Sequence, residues 1–437
     1  MRRYFQVRIG HLAVCLLRLC LLSVCLLVPR GGNTAEPVVE PPLAPKPELQ
    51  PNNAVQAKLA ALQPNHGVLL GKAEVIGDIN DTARKYELHK NGPRGRDFTI
   101  KMCWAPDRGR ALFCGANHGV PHRLNDVWEF DLPSLTWVML YAPDNTRGYG
   151  DLGKDTSDVE FRDGILYTKR GGPAVIGHTW WGLTYDPEQK QLLFMNTWVT
   201  DKKKAVTALG GNPEELYTGP PLWMFDPAKK TWRASKAAKP WPVPIFGGML
   251  EYVPELKGSI WHANNWQMQG TWRHDFVQDT WTKMVPEKSE DKVFGHESPQ
   301  PEQVAYYDPA RHVIVAARHY DTFEFEPKSA VWKRVLTGSK EDGLTPYAHD
   351  ARCVLYHDPA SGHGLMAHFE RSKAGNDDDI DRTLVLWAYD PAKTAWTKLT
   401  PQGDPPPTGN KRLAYVDPVS NVLVVIDGVN VWAYRYK

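Results

Sequence analysis

Fifteen histidines are spread over 437 residues, and imidazole is the side chain that titrates near neutral pH and also suits zinc, copper, iron and nickel. Their spacing along the chain gives little. The one close pair, His118 and His122 in HGVPH, encloses Pro121, so it lacks the helix on which an i, i+4 pair would share a face. Asp377, Asp378, Asp379 and Asp381 offer oxygen ligands but lack the ordered spacing and glycine of a calcium loop, and they read as a solvated acidic loop. No nucleophile elbow, phosphate loop, Asp-box series or zinc helix motif occurs. Any chemistry must therefore come from residues distant in sequence that the fold gathers, so the elements that position them come next.

The stretch NDVWEFDLPSLTW (125–137) places Trp128 and Phe130 one residue apart and a Trp seven residues after Phe130. The spacing returns in LWMFDPAKKTW (222–232), TWRHDFVQDTW (271–281), TFEFEPKSAVW (322–332) and LWAYDPAKTAW (386–396), and an incomplete copy, VWAYRYK, begins at Val431. Alternate residues share one face of a strand, and the polar residues between them and the Trp supply a turn. Each copy is thus read as a hairpin whose returning Trp sits opposite the second ring (Phe130, Phe225, His274, Phe325 or Tyr389). A second hairpin precedes each, for example YDPEQKQLLFM (185–195) and YDPARHVIVAA (307–317), with an aromatic, a Pro-led polar turn and an apolar return. Two hairpins make a four-stranded unit, and six units stacked radially cover one another's faces. The expected fold is an all-β, six-bladed β-propeller. Its last blade is one strand short, and GVLLGKAEVI (67–76) is the candidate to close the ring. A seventh blade within 140–173 is the alternative; that stretch lacks both the Pro-led turn and the Trp signature, although VEFRDGILYTK within it reads as a hairpin.

Over about residues 95–437 the repeat resembles the Kelch-repeat family, with NDVWEFD and Trp137 as its most specific copy. The resemblance implies a Kelch-type propeller like the central domain of galactose oxidases. It departs from the family at the end of the second strand, where a Gly pair is usual. Here only Gly115 and Gly428 fall there, and the other blades carry Asn196, His262, Arg318 and His368 at or beside this point.

In such a blade the second-to-third and fourth-to-first connections open on one face, here called the long-loop face, and the Pro-led turns on the other. His118, Asn196, His262, Asn264, Asn265, Arg318, His319, Asp321, His368 and Glu370 follow second strands and are expected to rim the long-loop face. His178 and His349 begin inner strands and are expected at the axial mouth, with Arg94, Arg96, Asp97 and Asp350 near them, whereas His312, His357 and His363 belong to the opposite turns. Three insertions, 140–173, 197–221 and 368–383, are expected to build walls on the same face. Trp180, Trp181, Trp261 and Trp266 lie near it and offer rings for a sugar, although core packing accounts for most of the 17 Trp.

The N-terminus reads as an export signal over 1–35, with a basic MRRYFQVR followed by a Leu-rich apolar run; an uncleaved anchor is the other reading of that run. Residues 36–64 read as a Pro-rich linker ending in a short helix over 54–62, and 65–437 as the propeller. A net charge of +2 without a long Lys/Arg run excludes a nucleic-acid partner, and contact with a membrane is expected only through the export signal. Three of six cysteines lie in that signal. If the first hairpin turns about the Arg108–Gly109 bond, Cys103 faces Cys114, and either a cross-strand disulfide or two buried thiols would follow.

The composite expectation is a periplasmic or secreted propeller that binds a carbohydrate or protein partner through its long-loop face, with no cofactor. The alternative is a sugar-acting enzyme. The resemblance raises two kinds, mutarotases and copper oxidases. The one Tyr-His pair, Tyr356-His357, lies in a turn on the wrong face for a copper ligand set, and no acid–base pair stands out among His178, His349, Asp350, Arg318 and Glu370.

Overall fold

A computed structural model of the chain describes residues 48–437 apart from 94–95, 97–98, 116–123, 145–146, 149, 198, 221, 243–246, 265–268, 286–302, 349–351, 372–381 and 409–411. Its local architecture follows from the Pro-led turns. In blade two the Asp186 carboxylate accepts from the backbone N–H groups of Glu188 and Gln189, both at 3.0 Å, and Lys190 then takes the left-handed conformation that reverses the chain. Asp226, Asp308, Asp390 and Asp417 repeat this capping, followed by Lys230, His312, Thr394 and Asn421 at positive φ. An Asp that satisfies two orphan donors and a Pro that fixes its own φ define the turn before any long-range contact forms.

Those turns join strands into six antiparallel sheets. Blade one comprises Cys103–Ala105, Arg110–Cys114, Val127–Asp131 and Thr136–Tyr141. Blade two comprises Leu183–Asp186, Gln191–Met195, Leu222–Asp226 and Thr231–Ala234, and blade three Met249–Val253, Gly258–Asn264, Gln269–Asp275 and Thr280–Val285. Blade four contains Val304–Asp308, Val313–Arg318, Asp321–Glu326 and Val331–Leu336, and blade five Cys353–Asp358, His363–Arg371, Arg382–Asp390 and Ala395–Leu399. Blade six has Arg412–Asp417, Val422–Asp427 and Asn430–Arg435 from the C-terminal part of the chain.

All five expected cross-strand pairs are present: Phe130 opposite Trp137, Phe225 opposite Trp232, His274 opposite Trp281, Phe325 opposite Trp332 and Tyr389 opposite Trp396. Their ring centroids lie 4.8–5.2 Å apart, within the range of favourable aromatic contact. The other face of each sheet packs on its neighbour; Leu413, Tyr415 and Val424 of blade six bury against Phe113, Trp128 and Phe130 of blade one.

The N-terminal stretch closes the ring, in two parts. His66–Lys72 pairs antiparallel with Asn430–Arg435 as the fourth strand of blade six. Glu74–Gly77 then crosses to blade one and runs parallel to its outer strand, with Val75 opposite Trp137. Gly67 lies so close to the Trp432 indole that an added Cβ would sit 2.2 Å from its ring. A helix, Asn53–Ala61, precedes the clasp; Asn52 caps it, Val55 and Leu59 are its buried residues, and Arg435 donates to the carbonyls of Leu59 and Leu62 at its end.

The insertion after blade one contains a two-stranded hairpin, Val159–Arg162 with Ile165–Thr168, and among the described residues no further blade. Its turn, Asp163-Gly164, holds both residues at positive φ, which suits the twist of a tight hairpin.

One register differs from expectation. Cys103 pairs with Leu112, Ala105 with Arg110, and Arg108 and Gly109 donate back to the Ala105 carbonyl, so the turn occupies 106–109. Cys114 lies two residues beyond the partner of Cys103, and both are buried thiols with no disulfide between them. Among the described residues no helix is long and apolar enough to cross a membrane.

Candidate functional site

The axial channel is filled where the inner strands begin. Lys101, just before the first strand of blade one, donates to the Leu250 carbonyl (3.1 Å) and pairs with Glu251 (2.5 Å), both in blade three. The Tyr356 hydroxyl of blade five lies 2.6 Å from the Ala414 carbonyl of blade six and 3.1 Å from both the amide and the carbonyl of Met102. Trp181 of blade two crosses to blade five and donates to the Cys353 carbonyl at 2.8 Å. These contacts tie blade one to blade three, blade five to blade six and blade two to blade five. Burial holds the Glu251 carboxyl above its usual range, against the opposing pull of Lys101.

Five of the residues expected to face a ligand are buried parts of the scaffold. Asn196 accepts from Gly177 (2.6 Å) and donates to the Val175 carbonyl (2.8 Å), pinning the end of the first insertion. His178 forms a bridge with Thr197 and accepts from the Trp180 indole at 3.3 Å. His262 is fully enclosed, with Nδ1 2.8 Å from the Thr271 hydroxyl; burial first, and the Arg318 charge second, push its pKa down to about 3. Arg318 and His368 are also buried, and His368 lies 3.7 Å from Glu370. Arg96, expected at the mouth, is buried in a two-pronged ion pair with Asp126. Trp180, Trp181 and Trp261 are core residues with no ring face open to a ligand. His118, His349, Asp350, Arg94, Asp97, Asn265, Trp266 and the acidic run from Asp377 to Asp381 lie outside the described residues.

Three of the expected residues reach the surface, among them Asp321 at 24% side-chain exposure. Glu370 has about half of its side chain exposed, at 46%. His319 forms part of an aromatic platform. It occupies, with Tyr320, the two-residue connection between Arg318 and Asp321, and it takes positive φ, a conformation His tolerates better than most side chains. Two backbone bonds with Ala348 (2.6 and 2.7 Å) lock this turn to the connection leading into blade five. On that frame the His319 ring stacks on Tyr347 at 5.5 Å and 13°, and Tyr320 packs on the same Tyr347 ring at 4.9 Å. Tyr347 is 40% exposed, and Leu344 in the same loop 68%. His319 was expected on this face from the sequence; Tyr320 and Tyr347 were not, because only the backbone lock brings the two loops together.

A separate cleft lies on blade two, where the first two insertions meet. Leu152, Val159, Leu166, Val175, Ala205 and Val206 form a satellite core between them, and the Tyr217 amide donates to the Gly164 carbonyl of the hairpin turn (2.9 Å). A cleft of about 530 Å³, counted out to its open mouth, is left above Trp223 and Ala234. Asn196 lines it, as do Leu166, Leu216, Tyr217 and Lys202. Sequence reasoning anticipated the walls but not Lys202. Among the described residues no group of three His, Cys, Asp or Glu side chains could hold a metal ion.

No family profile matches the chain, and no curated protein does. Solved structures do match. A putative TolB from Agrobacterium tumefaciens aligns at 8% identity over 77% of this chain and 91% of that chain, with a TM-score of 0.38. An auxiliary nutrient binding protein from Bacteroides ovatus aligns at 9% identity over 84% of this chain and 76% of that chain, with a TM-score of 0.44. The chain's own topology defines its class: a six-bladed β-propeller clasped by its N-terminal strand.

Proposed function

We propose that this chain is an exported, Kelch-type propeller that binds carbohydrate through its long-loop face, in the periplasm or outside the cell. The observation that carries the reading is the platform of His319, Tyr320 and Tyr347, fixed by two backbone bonds and open to solvent at Tyr347. A flat ring held rigid at the surface offers apolar area to a sugar face at little entropic cost, and nearby polar edges supply hydrogen bonds. Glu370 extends the proposed binding face, and His118, His349 and Asp350 are proposed ligand contacts. A protein partner is the second reading, favoured by Leu344, whose exposure widens the apolar surface of that loop. The basic-then-apolar N-terminus supports export.

The test is a glycan array probed with protein isolated from an exported fraction. Binding that disappears in Tyr347→Ala and Tyr320→Ala, with an unchanged melting temperature, supports the reading. Absence of wild-type binding to any glycan, with capture of a defined protein that Leu344→Asp abolishes, would replace carbohydrate by a protein partner.

A further inference from the structure

Helix Lys202–Ala208 in the second insertion begins with three consecutive lysines. Their surroundings differ. Lys203 pairs with Glu214 and Lys204 with Asp201, each at 2.9 Å, in exposed ion pairs. Lys202 has no carboxylate or other hydrogen-bond partner among the described residues, and it lines the cleft on blade two. The surrounding walls are apolar: Leu152, Ile165, Leu166, Val199, Leu216 and Trp223. The polar side chains there are already engaged, since Asn196 bonds the backbone of Val175 and Gly177, Tyr217 donates to the Ala237 carbonyl, and Ser235 donates to Asp279.

Lys202 is half-buried; an ammonium beside apolar walls gives up part of its hydration with nothing to replace it, and this burial pulls the Lys202 pKa below its ordinary value. A protein that stabilised this helix for its own sake would gain from an acid there, or from an apolar residue. The missing charge is one that a ligand can bring. The cleft is preformed, because the satellite core and the Tyr217–Gly164 bond hold its walls, so little ordering cost accompanies binding.

We propose that the blade-two cleft is a binding site for a small amphipathic carboxylate, with its apolar body against Trp223 and Leu166 and its carboxylate on the Lys202 ammonium. The site is separate from the His319–Tyr347 platform. A bound carboxylate restores the ion pair in a poorly hydrated setting, where charge-assisted bonds are strong. Because the ligand's charge favours protonated Lys202, binding takes up a proton at high pH and weakens as the pH rises.

The experiment is calorimetric titration with 2-naphthylacetate and its neutral isostere 2-naphthylacetamide, on wild type, Lys202→Met and Tyr347→Ala. The acid is expected to bind wild type at least about tenfold more tightly than the amide. Lys202→Met should abolish that difference while keeping or raising the melting temperature, since it removes an unpaired cation. Titration of the acid in two buffers of different ionisation enthalpy should show proton uptake at pH 9. Tyr347→Ala should leave all of this unchanged, which separates this site from glycan binding. Equal binding of acid and amide, no binding of either, or discrimination that survives Lys202→Met would overturn the proposal.

Discussion

The Trp332 indole of blade four donates to the Thr271 hydroxyl of blade three at 2.8 Å, and the same hydroxyl lies 2.8 Å from Nδ1 of His262. An indole N–H can only donate, so the hydroxyl accepts it; the direction of its second bond, to Nδ1 of His262, is set by the imidazole tautomer. Trp396 of blade five makes the same bond to Thr322 of blade four at 2.8 Å. In blades four and five the Trp of the repeat thus packs across its own hairpin and bonds the preceding blade. Thr271→Val removes the acceptor from a buried donor and should cost about 1–3 kcal/mol of stability in denaturant titration; an unchanged midpoint would mean the bond is dispensable.

His262 gives this junction a pH dependence. Its folded pKa is pushed down to about 3, whereas an unfolded imidazole titrates near 6.5. Below 6.5 the unfolded chain therefore binds more protons, and stability is lost as the pH falls from 6.5 toward 3. By pH 5 the loss from this group is about 2 kcal/mol. The difference in melting temperature between pH 7.5 and pH 5 should shrink in His262→Gln relative to wild type, and equal differences would show that His262 charges in place.

The Lys101–Glu251 pair spans the propeller axis between blades one and three with both side chains almost fully enclosed, at 8% and 12% exposure. Lys101→Met strands a buried carboxylate and should cost about 3–5 kcal/mol, whereas the double variant Lys101→Met/Glu251→Leu should recover much of that loss. A double variant no better than the single one would mean that the Lys101 bond to the Leu250 carbonyl is the contact that matters.

The clasp depends on a close approach at Gly67. Gly67→Ala drives a methyl into the Trp432 indole, whose N–H is anchored to the Asp404 carbonyl at 2.9 Å. Overpacking of this kind costs about 1–3 kcal/mol, and limited proteolysis should then release the segment before 72 sooner than in wild type. Equal protection of that segment in both proteins would show that the indole can yield.

The cysteines offer a chemical check on the register. Burial pushes the Cys103 thiol up to about 12 and the Cys114 thiol well above its ordinary value, so neither presents a thiolate near neutral pH. Iodoacetamide at pH 8 should leave native protein unmodified and alkylate Cys103, Cys114 and Cys353 once it is unfolded without reductant. Labelling of Cys353 alone under those conditions would reveal a bridge between the other two.

The repeat was legible down to individual contacts because strand pairing is periodic: a seven-residue interval around the Glu326-Pro327 turn puts Phe325 opposite Trp332 whatever the rest of the chain does. The missing strand of blade six was legible for the same reason, since a sheet with an unpaired edge needs one. The turn at 106–109 was not, because a one-residue ambiguity in where a loop begins moves its partner by two, and Cys103 met Leu112 in place of Cys114. The histidines show the deeper limit. Position in a repeat puts a residue at a strand end, but whether His262 is sealed under Trp332 or His319 lies open on Tyr347 depends on neighbouring blades, and burial is a property of many distant atoms together. Lys202 is the clearest case: three identical side chains follow one another, Glu214 and Asp201 of the same insertion give the second and third a carboxylate, and only packing against the first insertion sets the first beside an apolar wall.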